Sequence, residues 1–98
     1  MSVYLLSYDI HKGTPEEYVE LENKIKSYNS IHPLESVWII DSNLDIDLIY
    51  SDIKLSIVND DIEIILVNIS NDIVGRFIDT YTIEWLNSPD RTWKYLKY

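Results

Sequence analysis

Asp41-Ser42-Asn43-Leu44-Asp45-Ile46-Asp47 carries side-chain oxygens at alternate positions, superficially like the start of a calcium-binding loop. Such a loop needs glycine where Ile46 stands and a bidentate glutamate where Asp52 stands, so calcium is not expected here. His11 and His32 are the only histidines, and no motif spacing relates them. Each is read as a surface or turn residue rather than a base or ligand. Without cysteine there is no thiolate nucleophile, zinc–thiolate site or disulfide. Only Gly13 and Gly75 are glycines, which leaves no glycine-rich phosphate loop and no G-x-S-x-G elbow to present a serine. These motifs supply neither a catalytic residue nor a cofactor.

Charge is more informative. Eight basic and 17 acidic residues give a formal net charge of −9. A nucleic-acid binder draws most of its affinity from neutralising phosphates and carries a basic footprint, so nucleic acid is not an expected partner. The acids are concentrated: from Asp41 to Asp72 only Lys54 opposes them, whereas Arg91 to Tyr98 holds three bases and no acidic side chain. An acidic mid-chain surface serves solubility, or meets a basic protein through residues such as Asp45, Asp47 and Asp52. Trp93, Tyr95 and Tyr98 in the tail are large amphipathic anchors of the kind found at interfaces.

The elements that would position these groups form one domain over residues 1–98, with a core at 3–69 and a C-terminal helix and tail at 70–98. Val3 to Ile10 reads as a strand. Thr14, Pro15 and Glu17 then give a helix cap, a first-turn proline and a capping box, followed by Tyr18, Leu21, Ile25 and Tyr28 at helical spacing. Pro33 limits any strand at 31–34 to a short or edge one. A strand is expected at Ser36 to Asp41 and another at Ile62 to Ile69. Between them Ile46, Ile49, Ile53 and Ile57 favour a helix, with Ser42 as a cap. Val74, Phe77, Ile78, Tyr81 and Trp85 predict a further helix over 73–86, ended by Pro89-Asp90.

That order is βαββαβ with an additional C-terminal helix and a short tail, an α+β fold of the ferredoxin-like class. A one-sided sheet would alternate apolar and polar residues. Here Val3 and Leu5 oppose Tyr4, Leu6 and Tyr8; Val37 and Ile39 oppose Trp38 and Ile40; Ile64 and Leu66 oppose Ile65 and Val67. Both faces therefore need cover, from the last helix and tail, from a second subunit, or from both. A homodimer is expected. No apolar run reaches the roughly 18 residues of a membrane span, and Met1-Ser2-Val3-Tyr4 lacks a basic leader, so a cytoplasmic location is expected.

Tyr4-Leu5-Leu6-Ser7-Tyr8-Asp9-Ile10, Glu35-Ser36-Val37-Trp38-Ile39-Ile40, Asn59-Asp60 and Glu84-Trp85-Leu86 resemble the small bacterial SinR-like proteins. These are similar in turn to the small CRISPR-associated adaptation protein, a dimeric ferredoxin-like family often described as endoribonucleases. The resemblance implies that Asp9 is a metal ligand, paired with its copy across a dimer axis, where Mg²⁺ would activate water against a phosphodiester. It also implies a C-terminal strand crossing to the partner subunit. The chain departs from the relatives after Asp9: His11-Lys12 are followed by Glu16, Glu17, Glu20 and Glu22, where basic residues are typical. A strand-end aspartate also serves simply to satisfy the following turn.

Two functions are carried forward. The first is a non-catalytic, acidic, homodimeric interaction protein, with a phage-type inhibitor of host nucleic-acid or defence machinery as one form. The second is an Mg²⁺-dependent endonuclease built on paired Asp9 residues.

Overall fold

The computed structural model describes residues 2–58, 60–70, 73–91 and, by backbone alone, 96–97. The chain runs β1 (Ser2–Ile10), α1 (Pro15–Lys26), β2 (Asn29–Leu34), β3 (Val37–Ser42), α2 (Ile46–Lys54), β4 (Ile62–Asn68), β5 (Ile73–Val74), α3 (Thr80–Asn87) and β6 (Leu96–Lys97). Four strands form one antiparallel sheet in the order β2-β3-β1-β4, which is compatible with the expected split βαβ plan. In the central register Leu5 of β1 faces Ile39 of β3 on one side and Val67 of β4 on the other.

α1 begins as the sequence dictates. Thr14 Oγ1 accepts from the Glu17 N–H at 3.2 Å, and Glu17 Oε1 accepts from the Thr14 N–H at 3.0 Å. Gly13 just before it cannot be replaced cheaply, since a Cβ there would lie 2.7 Å from Ile10 Cβ and 2.8 Å from a Tyr18 ring carbon. α1 and α2 cover one sheet face. Leu21 and Ile25 from α1 and Ile49 and Ile53 from α2 pack on Tyr4, Leu6, Trp38 and Ile40. Each such side chain contributes about 1.5–3 kcal/mol by leaving water. β2 forms despite Pro33 because it is an edge strand, and its register shifts between Ile31 and Leu34 around that residue.

Two expectations need correction. Ser42 does not cap α2; Asp45 occupies the N-cap position, and Ser42 Oγ instead accepts from the Leu44 N–H at 3.1 Å. The helix over 73–86 is shorter than its apolar spacing predicts. Ile73–Val74 is extended and pairs in parallel with Leu96–Lys97. The helix itself starts only at Thr80, where Asp79 accepts from both the N–H and the hydroxyl of Thr82. Local capping chemistry outweighs the stripe. Ile78 and Tyr81 lie 87% and 64% exposed, while Thr82 and Leu86 are buried.

Candidate functional site

α3 lies over the second sheet face but covers only part of it. Leu86, with Trp85 and Phe77 beside it, packs against Val3, Ile31 and Ile39. Beyond them an apolar strip crosses the sheet: Leu5 and Val37 are half-buried, and Ile65 and Val67 are 57% and 42% exposed. Ser7 joins the strip, facing Val37 in β3 and Ile65 in β4. So the last helix covers part of what the alternation requires, leaving Ile65 and Val67 exposed and Leu5 and Val37 half-buried.

Asp9 stands at the end of this strip. It is exposed, and its register partner in β4 is Glu63, so two carboxylates share one corner of the sheet. Tyr18 reaches this corner from α1: its hydroxyl accepts from the Ile10 N–H at 3.2 Å and donates to Asp9 Oδ1 at 3.1 Å, with the Ile10 carbonyl an alternative acceptor at 3.2 Å. Asp9 and Tyr18 also border a cleft with Tyr8, Glu22, Glu35 and Ser36. Burial pushes the Tyr8 hydroxyl pKa up, while the Trp38 indole beside it pulls the other way. That indole N–H is buried with no acceptor in hydrogen-bonding geometry. Among the described residues no three acidic or histidine side chains converge as a ready cation cage.

The mid-chain acids separate into two kinds. Asp45 and Asp47 are exposed at the start of α2, and the Asp45 side chain makes no capping bond. Their charge suits the positive end of the helix dipole. Asp52 is engaged internally instead. It accepts a short hydrogen bond from the Tyr28 hydroxyl and pairs with Lys24 Nζ at 3.0 Å. The Tyr28 bond first, and Lys24 second, hold its carboxyl below the usual range. Burial and the same aspartate drive the Tyr28 hydroxyl well above its ordinary value of 10.0. Of the tail anchors, Trp93, Tyr95 and Tyr98 lie outside the described residues.

At the opposite edge His32 stacks on Trp38 with ring centroids 4.1 Å apart, and its Nε2 lies 2.8 Å from the Glu35 carbonyl. His11 is exposed in the turn after β1, its N–H bonded to the Asp61 carbonyl. Trp38 is a core residue as expected, whereas Trp85 is half-buried and donates to Asn29 Oδ1 at 3.1 Å. Arg91 is a residue that sequence reasoning missed. Its guanidinium lies 4.2 Å from the Trp85 ring centroid and 3.7 Å from Asp41, with both charged side chains almost fully buried. Only a three-dimensional return of the chain past α3 brings Arg91 to Asp41. Glu63 was equally hidden, because its place beside Asp9 depends on strand register.

Comparison with known protein families, with curated proteins and with solved structures yields no match for this chain.

Proposed function

We propose that this chain is a non-catalytic, acidic interaction protein of ferredoxin-like fold, working as a homodimer and engaging a basic protein partner. The observation that carries the reading is the strip of Leu5, Val37, Ile65 and Val67 left open beside α3. Contiguous exposed apolar surface on a soluble domain marks a contact site. A twofold pairing of this strip is the commonest closed way to cover it. The charge of −9 and the exposed Asp45 and Asp47 supply a separate surface that repels phosphate and attracts lysine and arginine. A cytoplasmic, phage-type inhibitor that occupies a nucleic-acid-binding site as a charge mimic is the biological form this chemistry fits, and the SinR-like resemblance accommodates it. Among the described residues no helix is long and apolar enough to cross a membrane. Light scattering of the purified chain tests the dimer; a monomer at every concentration removes the carrying observation.

One observation favours the second reading. Like charges directly opposite in a sheet are destabilising, yet Asp9 faces Glu63. If two protomers met with the twofold close to this corner, two such pairs would come together as an all-oxygen donor set that fits Mg²⁺. Mg²⁺ there would supply a polarised water for phosphodiester hydrolysis. Asp9→Asn separates the readings. We expect it to leave dimerisation and partner binding unchanged. Mg²⁺-dependent cleavage of RNA or DNA by the native chain, absent in this variant, would establish the nuclease instead.

A further inference from the structure

The side of α2 turned away from the core carries two large apolar side chains among polar ones. Ile49 and Ile53 point inward and are fully buried, with half-buried Ile46 packed beside them. Core burial accounts for these three residues but not for Leu48 and Leu55, which are 56% and 83% exposed. Leu44 before the helix and Val58 after it are exposed as well. Leu48, Ser51 and the C-cap residue Leu55 follow one another at three- and four-residue steps on α2, whereas Leu44 and Val58 lie outside the helix. That spacing sets Leu48 and Leu55 along one seam of a paired helix, with Ser51 between them. The positions flanking such a seam are Asp45, Asp47, Asp52 and Lys54. An ordinary surface helix would present polar residues here.

Charge decides what can cover this face. A second copy would bring the same three acids and one lysine to the seam, so parallel pairing sets Asp47 against Asp52 and antiparallel pairing sets Asp45 against Asp52; like charges flanking a helix seam select against both. The internal cations are already used: Lys24 pairs with Asp52 at 3.0 Å, and Lys54 with Asp60 at 3.6 Å. A helix with an apolar seam and lysine or arginine on its flanks satisfies both features at once.

We infer that the outer face of α2 is a docking seam for a basic amphipathic helix of the partner, whose apolar residues interlock with Leu48 and Leu55 while its cations meet Asp45 and Asp47. This rests on the reading of the chain as an acidic interaction protein and names the partner's chemistry. The occupant is a helix rather than a basic surface in general. It lies on the helical layer, away from the open sheet strip, so the two contacts are compatible.

Three fluorescent synthetic peptides test it against the full chain by anisotropy at about 150 mM salt, where weak surface attraction is screened. One carries leucine at heptad seam positions with lysine flanks. The second has serine at the seam and the same lysines. The third keeps the leucines and has glutamate flanks. The leucine–lysine peptide is expected to bind at least about tenfold more tightly than either control, and L48S/L55S to remove that preference. D45K/D47K should reverse it toward the glutamate peptide. Ile65→Asp, on the sheet strip, should leave peptide binding as it was. Equal binding of both lysine peptides, unaffected by L48S/L55S, overturns the seam and leaves the acidic-surface reading standing. Binding of neither lysine peptide overturns both. Loss of the homodimer in L48S/L55S, or partition of the native chain onto lipid vesicles through these leucines, would also overturn it.

Discussion

Ile65 lies on the strip that α3 leaves open, opposite Ser7 of β1 and 57% exposed. Complete burial of an isoleucine or valine is worth about 1.5–3 kcal/mol. Ile65 and Val67, at 57% and 42% exposure, therefore each have about 1 kcal/mol still to gain. Leu5 and Val37, half-buried already, add somewhat less each. Counted on both protomers, the strip yields roughly 5–8 kcal/mol before association costs of about 4–15 kcal/mol. A micromolar dimer needs about −8 kcal/mol net. The strip alone thus supports only weak pairing, and a micromolar or tighter dimer requires further contacts, for which the C-terminal tail is the expected source. Ile65→Asp would place a carboxylate on the strip, near Asp9 and Glu63, and desolvate it twice in each dimer. That costs several kcal/mol, enough to give a monomer at about 100 µM. Sedimentation and light scattering over a concentration series measure both proteins, and Val58→Asp, 95% exposed beyond α2, is the control that should dimerise normally. A native chain that stays monomeric at high micromolar concentration, or an Ile65→Asp dimer as tight as the native one, refutes the argument.

Leu86→Ala should lower stability by about 2–5 kcal/mol, because a fully buried side chain between α3 and the sheet is lost, whereas Ile78→Ala should change it by less than about 0.5 kcal/mol. Urea midpoints with unchanged slope measure this, and comparable costs at the two sites would mean that α3 is misplaced. Asp52 has its pKa lowered in the folded chain, so its contribution is present above the ordinary carboxylate range and is lost as pH falls through the folded value. Asp52→Asn should therefore flatten the loss of urea stability on acidification, and an unchanged acid limb would show that the Tyr28 and Lys24 contacts carry no linkage. No binding to DNA or RNA is expected in a gel shift at about 150 mM salt, and submicromolar binding would remove the charge-mimic reading.

Much of the fold is legible because its signals are local. The capping box at Thr14 and Glu17 fixes where α1 starts, and the apolar-rich runs at 3–10, 37–40 and 62–69 mark strands whatever surrounds them. The 73–86 segment departs from its apolar spacing for an equally local reason. Helical spacing of Val74, Phe77, Ile78, Tyr81 and Trp85 is real in the sequence, but Asp79 caps a helix only from Thr80 and turns Ile78 out to water. Groups that meet through register or chain return, such as Asp9 with Glu63 and Arg91 with Asp41, leave no trace in spacing. Asp52 illustrates the same limit. Its type and position suit a partner surface, but whether it is free depends on Tyr28, which reaches it from the turn between α1 and β2.

The strands and α2 share one physical argument, although only the strands declare it plainly. An element that is apolar on one side needs one neighbour; an element apolar on two sides needs two. Period-two alternation makes a two-sided strand easy to recognise, since every position in Val37-Trp38-Ile39-Ile40 is apolar. In a helix the second stripe is interleaved with the first, and Ile46, Ile49, Ile53 and Ile57 satisfy the search for a core face before Leu48 and Leu55 are considered. The sheet meets its second requirement partly within the chain, through Leu86 and Trp85 on Val3, Ile31 and Ile39. Among the described residues α2 has no second layer over its outer face, where Leu55 is 83% exposed. For a chain of 98 residues bearing a charge of −9, that separates a surface the chain itself partly covers from one that, on the proposed reading, a partner covers.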